Sequence, residues 1–356
     1  MKKKAGLLLS LTLAASTILG ACGTANKTTD KGTEKKTNIK IGMVTDTGGV
    51  NDKSFNQSAW EGLSKFGKDN SLKANEGYRY LQSEKESDYV PNLTKFADTN
   101  YNLTLGIGFL MADSVGKVAD QYKDRQFAIV DTVVKKPNVT SLVFKENEGS
   151  FLVGVVAALT TKTNKVGFIG GVDSELIKKF ESGFKAGVKT VNPKIEIVTQ
   201  YAGDFNNIAK GTQLASTLYG QGVDVIYHAA GGTGNGVFTE AKNRKKQGQA
   251  VWVIGVDRDQ HQEGMPENVT LTSMVKRVDV AVENIAKDAL AGSLKGGSVR
   301  EFGLKEDGVG IAPTTDNVSK DALAKVDEYK KKILNGEVKV PATEDEYKKY
   351  EATLSK

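Results

Sequence analysis

The feature that most constrains the fold is an alternation of two kinds of segment between residues 39 and 257. Short apolar runs rich in β-branched residues, such as "IKIGMVT", "LTLGIGF" and "VWVIGVD", are separated by longer segments whose apolar residues recur at helical spacing. This alternation is typical of βαβ units, in which buried parallel strands are covered by helices on both faces. The sequence therefore predicts an α/β protein with mostly parallel sheets.

The apolar runs fall into two sets, which predicts two sheets. The first set is "IKIGMVT", "YRYLQS", "LTLGIGF", "FAIVDT" and "VTSLVF", with helices beginning near Phe55, Asp88 and Asp113. The second set is "KVGFIGG", "IEIVTQY", "VDVIYHAA" and "VWVIGVD", and a helix from Glu148 to about Thr161 joins the two sets. The body of the chain is also longer than one hydrophobic core usually organises, so we expect two lobes.

The predicted lobes each combine two parts of the chain. We expect lobe 1 to contain residues 39–145 and about 259–297, because the amphipathic segment "VDVAVENIAKDALAG" can return to the first sheet. Lobe 2 then contains residues 146–258 and about 298–356. The last part includes "SKDALAKVDEYKKKILNGE", which predicts a helix with Ser319 as its N-cap.

The N-terminus has the pattern of an export signal. Three lysines precede an apolar run from Ala5 to Leu19, which ends in small residues before Cys22. This pattern predicts a signal peptide over residues 1–21, since the apolar run is shorter than the roughly 20 residues of a membrane-spanning helix. Residues 22–38 contain no large apolar side chain and are expected to form a flexible tether.

Composition argues against several classes of function. The net charge is +6, and part of it belongs to the lysines of the signal peptide. No basic motif with interleaved aromatic residues is present, so we expect no nucleic-acid partner. Cys22 is the only cysteine and there are two histidines, without zinc-ligand spacing or a catalytic triad motif. We therefore expect that the protein is not an enzyme and that it binds no cofactor or metal. We expect His228 to lie in the core and His261 in a solvated loop.

Candidate ligand-binding residues follow most of the predicted strands, where ligands bind in doubly wound sheets. They are Asp46, Gly48, Gly49, Asp52, Phe55, Asn56, Met111, Asp113, Asp131, Asp173, the "GDFNN" segment, the "GGTGNG" segment and Asp257. Each also has a local explanation: Ser54 can cap the helix that follows it, with Gln57 completing a capping box, and Asp52 can favour the positive end of that helix. Considered by itself, Phe55 is more readily explained as a core residue than as a ligand contact.

Five segments together carry a family resemblance. They are "GMVTDTGGVNDKSFNQSAWEG", "GFLMADS", "YAGDFNN", "AAGGTGNGVF" and "VIGVDRDQ". The chain from Cys22 to about Val309 resembles the basic membrane lipoprotein family, most closely its purine nucleoside receptors, which are substrate-binding components of ABC transporters. The resemblance implies a two-lobed type I periplasmic-binding-protein fold that closes by a hinge around its ligand and delivers it to an ABC permease.

The same resemblance implies a membrane anchor. The residues "LGAC", with the predicted cleavage point before Cys22, resemble a bacterial lipobox. This implies that Cys22 carries lipid and holds the protein at the outer side of the cell membrane. We expect the protein to be a monomer.

The resemblance also implies roles for individual residues. Phe55 and Phe205 would stack on the two faces of a nucleobase, since any base offers a π-face. Asp131 and Asn56 would bind the base edge with help from Asp46. The ribose would be held by a carboxylate, an ammonium group and backbone amides, supplied by Asp257, Lys276, Gly232 and Gly234. The absence of an arginine cluster at these positions favours a nucleoside over a nucleotide.

Three alternatives stay open. The fold accommodates many ligands, so the protein can be a receptor for a sugar or another small polar molecule. It can also be an exported hydrolase that uses Asp46, Asp52 or Asp131 as acid or base. A third alternative is a surface sensor or antigen without a transport function.

Overall fold

Two six-stranded sheets organise residues 39–354, the part of the chain that this computed structural model describes. The predicted signal peptide, Cys22 and the tether lie outside the described residues. Within the described range, none of the helices has the length and apolar character needed to cross a membrane.

The secondary structure alternates as the sequence predicts. The strands are β1 (Ile41–Val44), β2 (Tyr78–Leu81), β3 (Leu103–Ile107), β4 (Gln126–Val130), β5 (Val139–Phe144), β6 (Lys165–Gly170), β7 (Glu196–Tyr201), β8 (Val225–Ala229), β9 (Trp252–Asp257), β10 (Thr270–Lys276), β11 (Val299–Phe302) and β12 (Val309–Ile311). The α-helices are α1 (Phe55–Asp69), α2 (Tyr89–Asp98), α3 (Ala112–Gln121), α4 (Glu146–Thr160), α5 (Glu175–Val191), α6 (Ile208–Gly220), α7 (Asn235–Lys246), α8 (Val278–Leu290), α9 (Lys320–Leu334) and α10 (Glu344–Leu354).

The sheets have nearly the same strand order. The first is ordered β11-β5-β4-β3-β1-β2 and is parallel throughout. The second is ordered β12-β10-β9-β8-β6-β7, and only β12 runs antiparallel to its neighbour. Strands such as β1, β3 and β8 are buried along their whole length, as expected when helices cover both faces of a parallel sheet. The predicted α/β class with two mostly parallel sheets is confirmed.

We call each sheet with its helices a lobe. The chain passes from lobe 1 to lobe 2 between β5 and α4, because α4 packs on α5. It returns after β10, since α8 packs on α1, and passes over again between β11 and β12. Helices α9 and α10 then pack on α4 and α5 of lobe 2.

The structure differs from the predicted boundaries at two of these passages. Residues Thr270–Lys276, which we assigned to lobe 1, pair in parallel with β9 in the second sheet. Residues Val299–Phe302, which we assigned to lobe 2, pair with β5 in the first sheet. The reason is that strand pairing depends on distant segments, whereas the local pattern reports only that a strand forms. The first passage, near Lys145, lies where the sequence predicts it.

Candidate ligand-binding cleft

A cleft with about 510 Å³ of empty space, part of it open to solvent, lies between the lobes. Lobe 1 contributes Asp46, Gly48, Asp52, Phe55, Asn56, Gly108, Phe109 and Asp131. Lobe 2 contributes Leu176, Ile177, Phe180, Phe205, Ala229, Gly231, Val256, Asp257 and Lys276. Most of these residues lie at or just beyond the carboxyl ends of the parallel strands, where doubly wound sheets bind ligands.

The structure brings most of the predicted site residues together in this cleft. Those that line it are Asp46, Phe55, Asn56, Asp131, Phe205, Asp257 and Lys276. The predicted glycines Gly232 and Gly234 are not among the described residues that line it, whereas the neighbouring Gly231 does line it. A Cβ atom on Gly234 would lie 2.1 Å from the imidazole ring of His228, so this glycine is needed for close packing inside lobe 2.

Lys276 forms the polar centre of the cleft. Its Nζ atom lies 2.6 Å from Oδ2 of Asp131 and 3.8 Å from Oδ1 of Asp257, and the side chains of all three residues are almost fully buried. The ammonium group also lies 4.6 Å from the ring centroid of Phe55. Burial alone lowers the pKa of Lys276, but the carboxylates of Asp131, Asp257 and Glu146 outweigh it and raise that pKa.

The two aspartates beside Lys276 share an unusual backbone conformation. Asp131 follows β4 with a φ of 71°, and Asp257 ends β9 with a φ of 64°. The left-handed region costs an L-residue roughly 1–2 kcal/mol, and strained residues of this kind cluster at binding sites. In each lobe, an aspartate with this conformation therefore lies at the end of a parallel strand, β4 or β9, and lines the cleft.

Asp257 and Ser54 join the lobes directly. The Ser54 hydroxyl donates a short hydrogen bond to Oδ2 of Asp257. Burial raises the pKa of Asp257 to about 6, and the charge of Lys276 and the bond from Ser54 oppose that shift. The predicted capping box is wrong, because Ser54 stands at the N-cap position of α1 without a capping bond from its side chain, and the Gln57 amide donates to Glu61.

Asp52 caps α1 in place of Ser54. Its carboxylate accepts hydrogen bonds from the backbone amides of Ser54 and Asn56, at 2.8 Å each, and of Gln57 at 3.1 Å. The prediction of a helix-start role for Asp52 is therefore confirmed. Burial raises its pKa in spite of these three amides, which lower it.

Asp46 lies on the lobe 1 side of the cleft. Its Oδ1 atom accepts from Nδ2 of Asn56 at 2.6 Å and from the amide of Gly48 at 2.8 Å. Burial is the main cause that raises its pKa to about 7, and the nearby charges of Asp52 and Asp131 add to the shift. A carboxyl group that titrates near neutral pH can either donate or accept a hydrogen bond.

The rest of the lining is aromatic and aliphatic. Phe55 and Phe109 come from lobe 1, and Phe180 and Phe205 come from lobe 2. The rings of Phe109 and Phe205 meet across the cleft at 85°, with centroids 6.2 Å apart. The Phe205 ring lies directly on the backbone of Gly171, where a Cβ atom would be 2.2 Å away. The cleft therefore combines aromatic surface from both lobes with a buried polar centre.

Sequence reasoning missed Phe109 and Phe180. Phe109 is the last residue of the run "LTLGIGF", and its position just after a predicted strand could have indicated a place in the cleft. Phe180 lies on α5 one turn after Leu176, and helical spacing cannot separate a cleft-facing residue from a core residue.

Other candidates have structural roles. Met111 is buried in the core, and Asp113 and Asp173 are exposed. His228 is fully buried with its Nε2 atom 3.1 Å from Oε1 of Gln260, and burial lowers its pKa to about 4. Its predicted core position is confirmed. No group of three or more metal-binding side chains is found among residues 39–354.

Comparisons with known proteins agree with this architecture. Residues 39–344 match the family model of PnrA-like ABC transporter substrate-binding proteins. The chain is 55% identical to the CD4+ T-cell-stimulating antigen of Listeria monocytogenes, over 96% of this chain and 99% of the relative. It is 42% identical to the ABC transporter nucleoside-binding protein BmpA of Lactococcus lactis, over 96% of this chain and 100% of the relative.

A solved structure has the same fold. The ABC transporter solute-binding protein of Aeropyrum pernix superposes with a TM-score of 0.78 at 28% identity, over 89% of this chain and 97% of the other. The family model covers most of the chain, and the relatives match along nearly their whole length. The chain therefore belongs to the PnrA-like family of ABC transporter substrate-binding proteins.

Proposed function

We propose that this protein captures a purine nucleoside between its two lobes and presents it to an ABC permease. The observation that carries the proposal is the composition of the cleft, which joins aromatic rings from both lobes to a buried lysine and carboxylates. A nucleoside has the matching parts, a planar base and a hydroxyl-rich sugar. The name of the Lactococcus lactis relative, a nucleoside-binding protein, supports the same ligand class.

The base is proposed to lie between Phe55 and Phe205. These rings line the cleft from lobe 1 and lobe 2, so a base between them contacts both lobes at once. Stacking on an aromatic side chain contributes on the order of 1–3 kcal/mol per base. A ligand held in this way favours the closed arrangement over the open one, because opening removes one of the two stacking surfaces.

The base edge is proposed to meet Asp131, Asn56 and Asp46. The Oδ1 atom of Asp131 is buried and has no hydrogen-bond partner, while Oδ2 is occupied by Lys276. A buried acceptor without a partner costs free energy, and a donor on the ligand removes that cost. An amino or imino group of a purine is a donor of the required kind.

The ribose is proposed to bind at Asp257 and Lys276. A carboxylate accepts hydrogen bonds from two neighbouring hydroxyls, and an ammonium group donates to one. Gly231 lines the cleft nearby, and its φ of 54° suits glycine best, so its backbone can approach a ligand closely.

The charges of the lining favour an uncharged ligand. Four aspartates line the cleft, at positions 46, 52, 131 and 257, and Lys276 is the one lysine or arginine among the described lining residues. A phosphate group would meet more negative than positive charge, and it would lack the bidentate arginine contacts that phosphates favour. We therefore propose that the cleft prefers a nucleoside to a nucleotide.

The cellular role follows from the family together with the N-terminus. We propose that Cys22 carries lipid and that residues 22–38 tether a monomer at the extracytoplasmic face of the membrane, within reach of its permease. The proposed role is binding and release without chemical conversion of the ligand.

The experiment is mass spectrometry of small molecules that native protein releases on denaturation. The expected result is an intact purine nucleoside in the wild-type sample and little of it in a Phe55→Ala/Asp257→Ala variant purified in parallel. Release of a free sugar, or of a free base together with ribose, would contradict the proposal, and the second result would support the hydrolase alternative.

A further inference from the structure

The loop between β1 and α1, residues 45–54, is held by side-chain amides from lobe 2. Three amide groups of lobe 2 donate to backbone carbonyls of this loop: Asn206 to Thr47 at 3.0 Å, Asn235 to Asp52 at 3.0 Å and Gln260 to Lys53 at 2.9 Å. Because the acceptors are backbone carbonyls, these three contacts depend on the conformation of the loop and not on its side chains. These three donors are not among the described residues that line the cleft.

The conformation of the loop is also fixed by contacts within lobe 1. Lys53 has a φ of 62° and Gly49 a φ of 71°, and the carboxylate of Asp52 fixes the turn into α1. The amide of Val50 donates to the side chain of Gln82 at 3.3 Å. A surface that is ordered in advance loses little conformational entropy when it is bound.

An ion pair adds a fourth contact to these three amide contacts. Nε of Arg258 lies 3.0 Å from Oε2 of Glu61, and Nη2 lies 2.7 Å from Oε1, so the pair is bidentate. Arg258 follows Asp257 in lobe 2, and Glu61 lies on α1 of lobe 1. Neither residue is among the described residues that line the cleft.

We propose that Asn206, Asn235, Gln260 and Arg258 form a latch that holds the lobes closed without touching the ligand. The inference rests on the proposed function, since it assumes that a nucleoside binds in the closed cleft. All four contacts join different lobes, so they are lost whenever the lobes separate. The observed affinity of a ligand scales with the population of the state that binds it. Loss of one latch contact should therefore weaken every ligand by the same factor.

The test compares Arg258→Gln with a matched control. The control is Arg300→Gln, because Arg300 pairs with Asp288 at 2.6 Å inside lobe 1 and is exposed to a similar degree. Calorimetry with adenosine and with inosine should give dissociation constants roughly three- to tenfold weaker in Arg258→Gln, by the same factor for both ligands, and unchanged in Arg300→Gln. Stopped-flow measurements should show the loss mainly as faster dissociation.

A second variant guards against an effect of charge alone. Asn235→Leu keeps the approximate size of the side chain and the net charge but removes the donor to the Asp52 carbonyl, and it should also weaken both nucleosides equally. The urea-unfolding midpoint of each variant without ligand should stay at the wild-type value, because a latch acts only between closed lobes.

Several results would overturn the proposal. Wild-type affinity in both Arg258→Gln and Asn235→Leu would show that the contacts do not hold the closed state. Loss of affinity for adenosine alone would indicate direct ligand contact, and a lower unfolding midpoint without ligand would indicate a merely structural role. If the wild-type protein gave no binding heat with adenosine or inosine, the proposed function and the latch would be overturned together.

Discussion

The Nζ atom of Lys276 lies 2.6 Å from Oδ2 of Asp131, and these two buried residues come from different lobes. The pair exists only when the lobes are close together. Lys276 is therefore a link between the lobes as well as a proposed ligand contact, and removing its charge should affect closure strongly.

We expect Lys276→Met to weaken adenosine binding by about 100-fold or more. Removing one partner of a buried ion pair costs about 3–5 kcal/mol, because the other charge stays buried without compensation. In the double variant Asp131→Asn/Lys276→Met the charge of Asp131 is no longer stranded, so we expect it to bind adenosine better than Lys276→Met alone. Calorimetry measures both effects.

Lys325→Met is the control for this prediction. Lys325 pairs with Glu328 at 2.7 Å on the exposed surface of α9, where ion pairs contribute little. Wild-type affinity in Lys276→Met, or equal losses in Lys276→Met and Lys325→Met, would contradict the role of the buried pair.

The proposed stacking of the base between Phe55 and Phe205 predicts that removing either ring weakens binding. Phe55→Ala and Phe205→Ala should each weaken adenosine binding at least about tenfold, or 1.4 kcal/mol, while the protein stays folded. Tyr80→Ala is the matched control, since Tyr80 packs on Trp60 in lobe 1 and is not among the described lining residues of the cleft. Equal affinities in all three variants would show that the base binds elsewhere.

Asp46 predicts a pH dependence of stability. Burial raises the pKa of Asp46 to about 7 in the folded protein, whereas in the unfolded chain this pKa has its ordinary value of 3.8. The wild-type protein should therefore lose stability relative to Asp46→Asn as the pH rises between these values, by at most about 4 kcal/mol. Above this window the difference between the two proteins should be constant.

Urea unfolding at a series of pH values measures this difference. Asp113→Asn is the control, because Asp113 is an exposed carboxylate of the same lobe and its replacement should give no such trend. A difference between wild type and Asp46→Asn that does not change from pH 4 to pH 8 would refute the buried, protonated state of Asp46.

Gly234 predicts a loss of stability without a loss of binding. The methyl group of Gly234→Ala would overlap the His228 ring, and overpacking of this kind typically costs about 1–3 kcal/mol. The adenosine dissociation constant should stay within about threefold of wild type at 20 °C. Gly220→Ala at the end of α6, where nothing lies within 4 Å of the added atom, should not be destabilised. A stable fold with lost binding in Gly234→Ala would restore the direct role that the family resemblance implies.

The sequence predicts the strands well because their signal is local. Buried parallel strands need continuous apolar runs, and each predicted run overlaps a strand of the structure. The lobe boundaries fail at β10 and β11, where membership depends on which distant strand each one pairs with. No pattern within Thr270–Lys276 distinguishes a partner in β9 from a partner in the first sheet.

The site is predictable in part for a similar reason. Residues after parallel strands converge at one edge of a sheet, so Asp46, Asp131 and Asp257 could be placed in the cleft from their positions. The exchange of roles between Ser54 and Asp52 could not be predicted. Either residue type can cap a helix, and the choice depends on Asp257, which reaches Ser54 from the other lobe.

The most direct test of the account is calorimetric titration of the ligand-free protein with adenosine, guanosine, inosine, cytidine and D-ribose. The account predicts saturable binding of a purine nucleoside at about one per chain, tighter than that of cytidine, with no measurable binding of ribose. Binding of ribose with no binding of any nucleoside would contradict it.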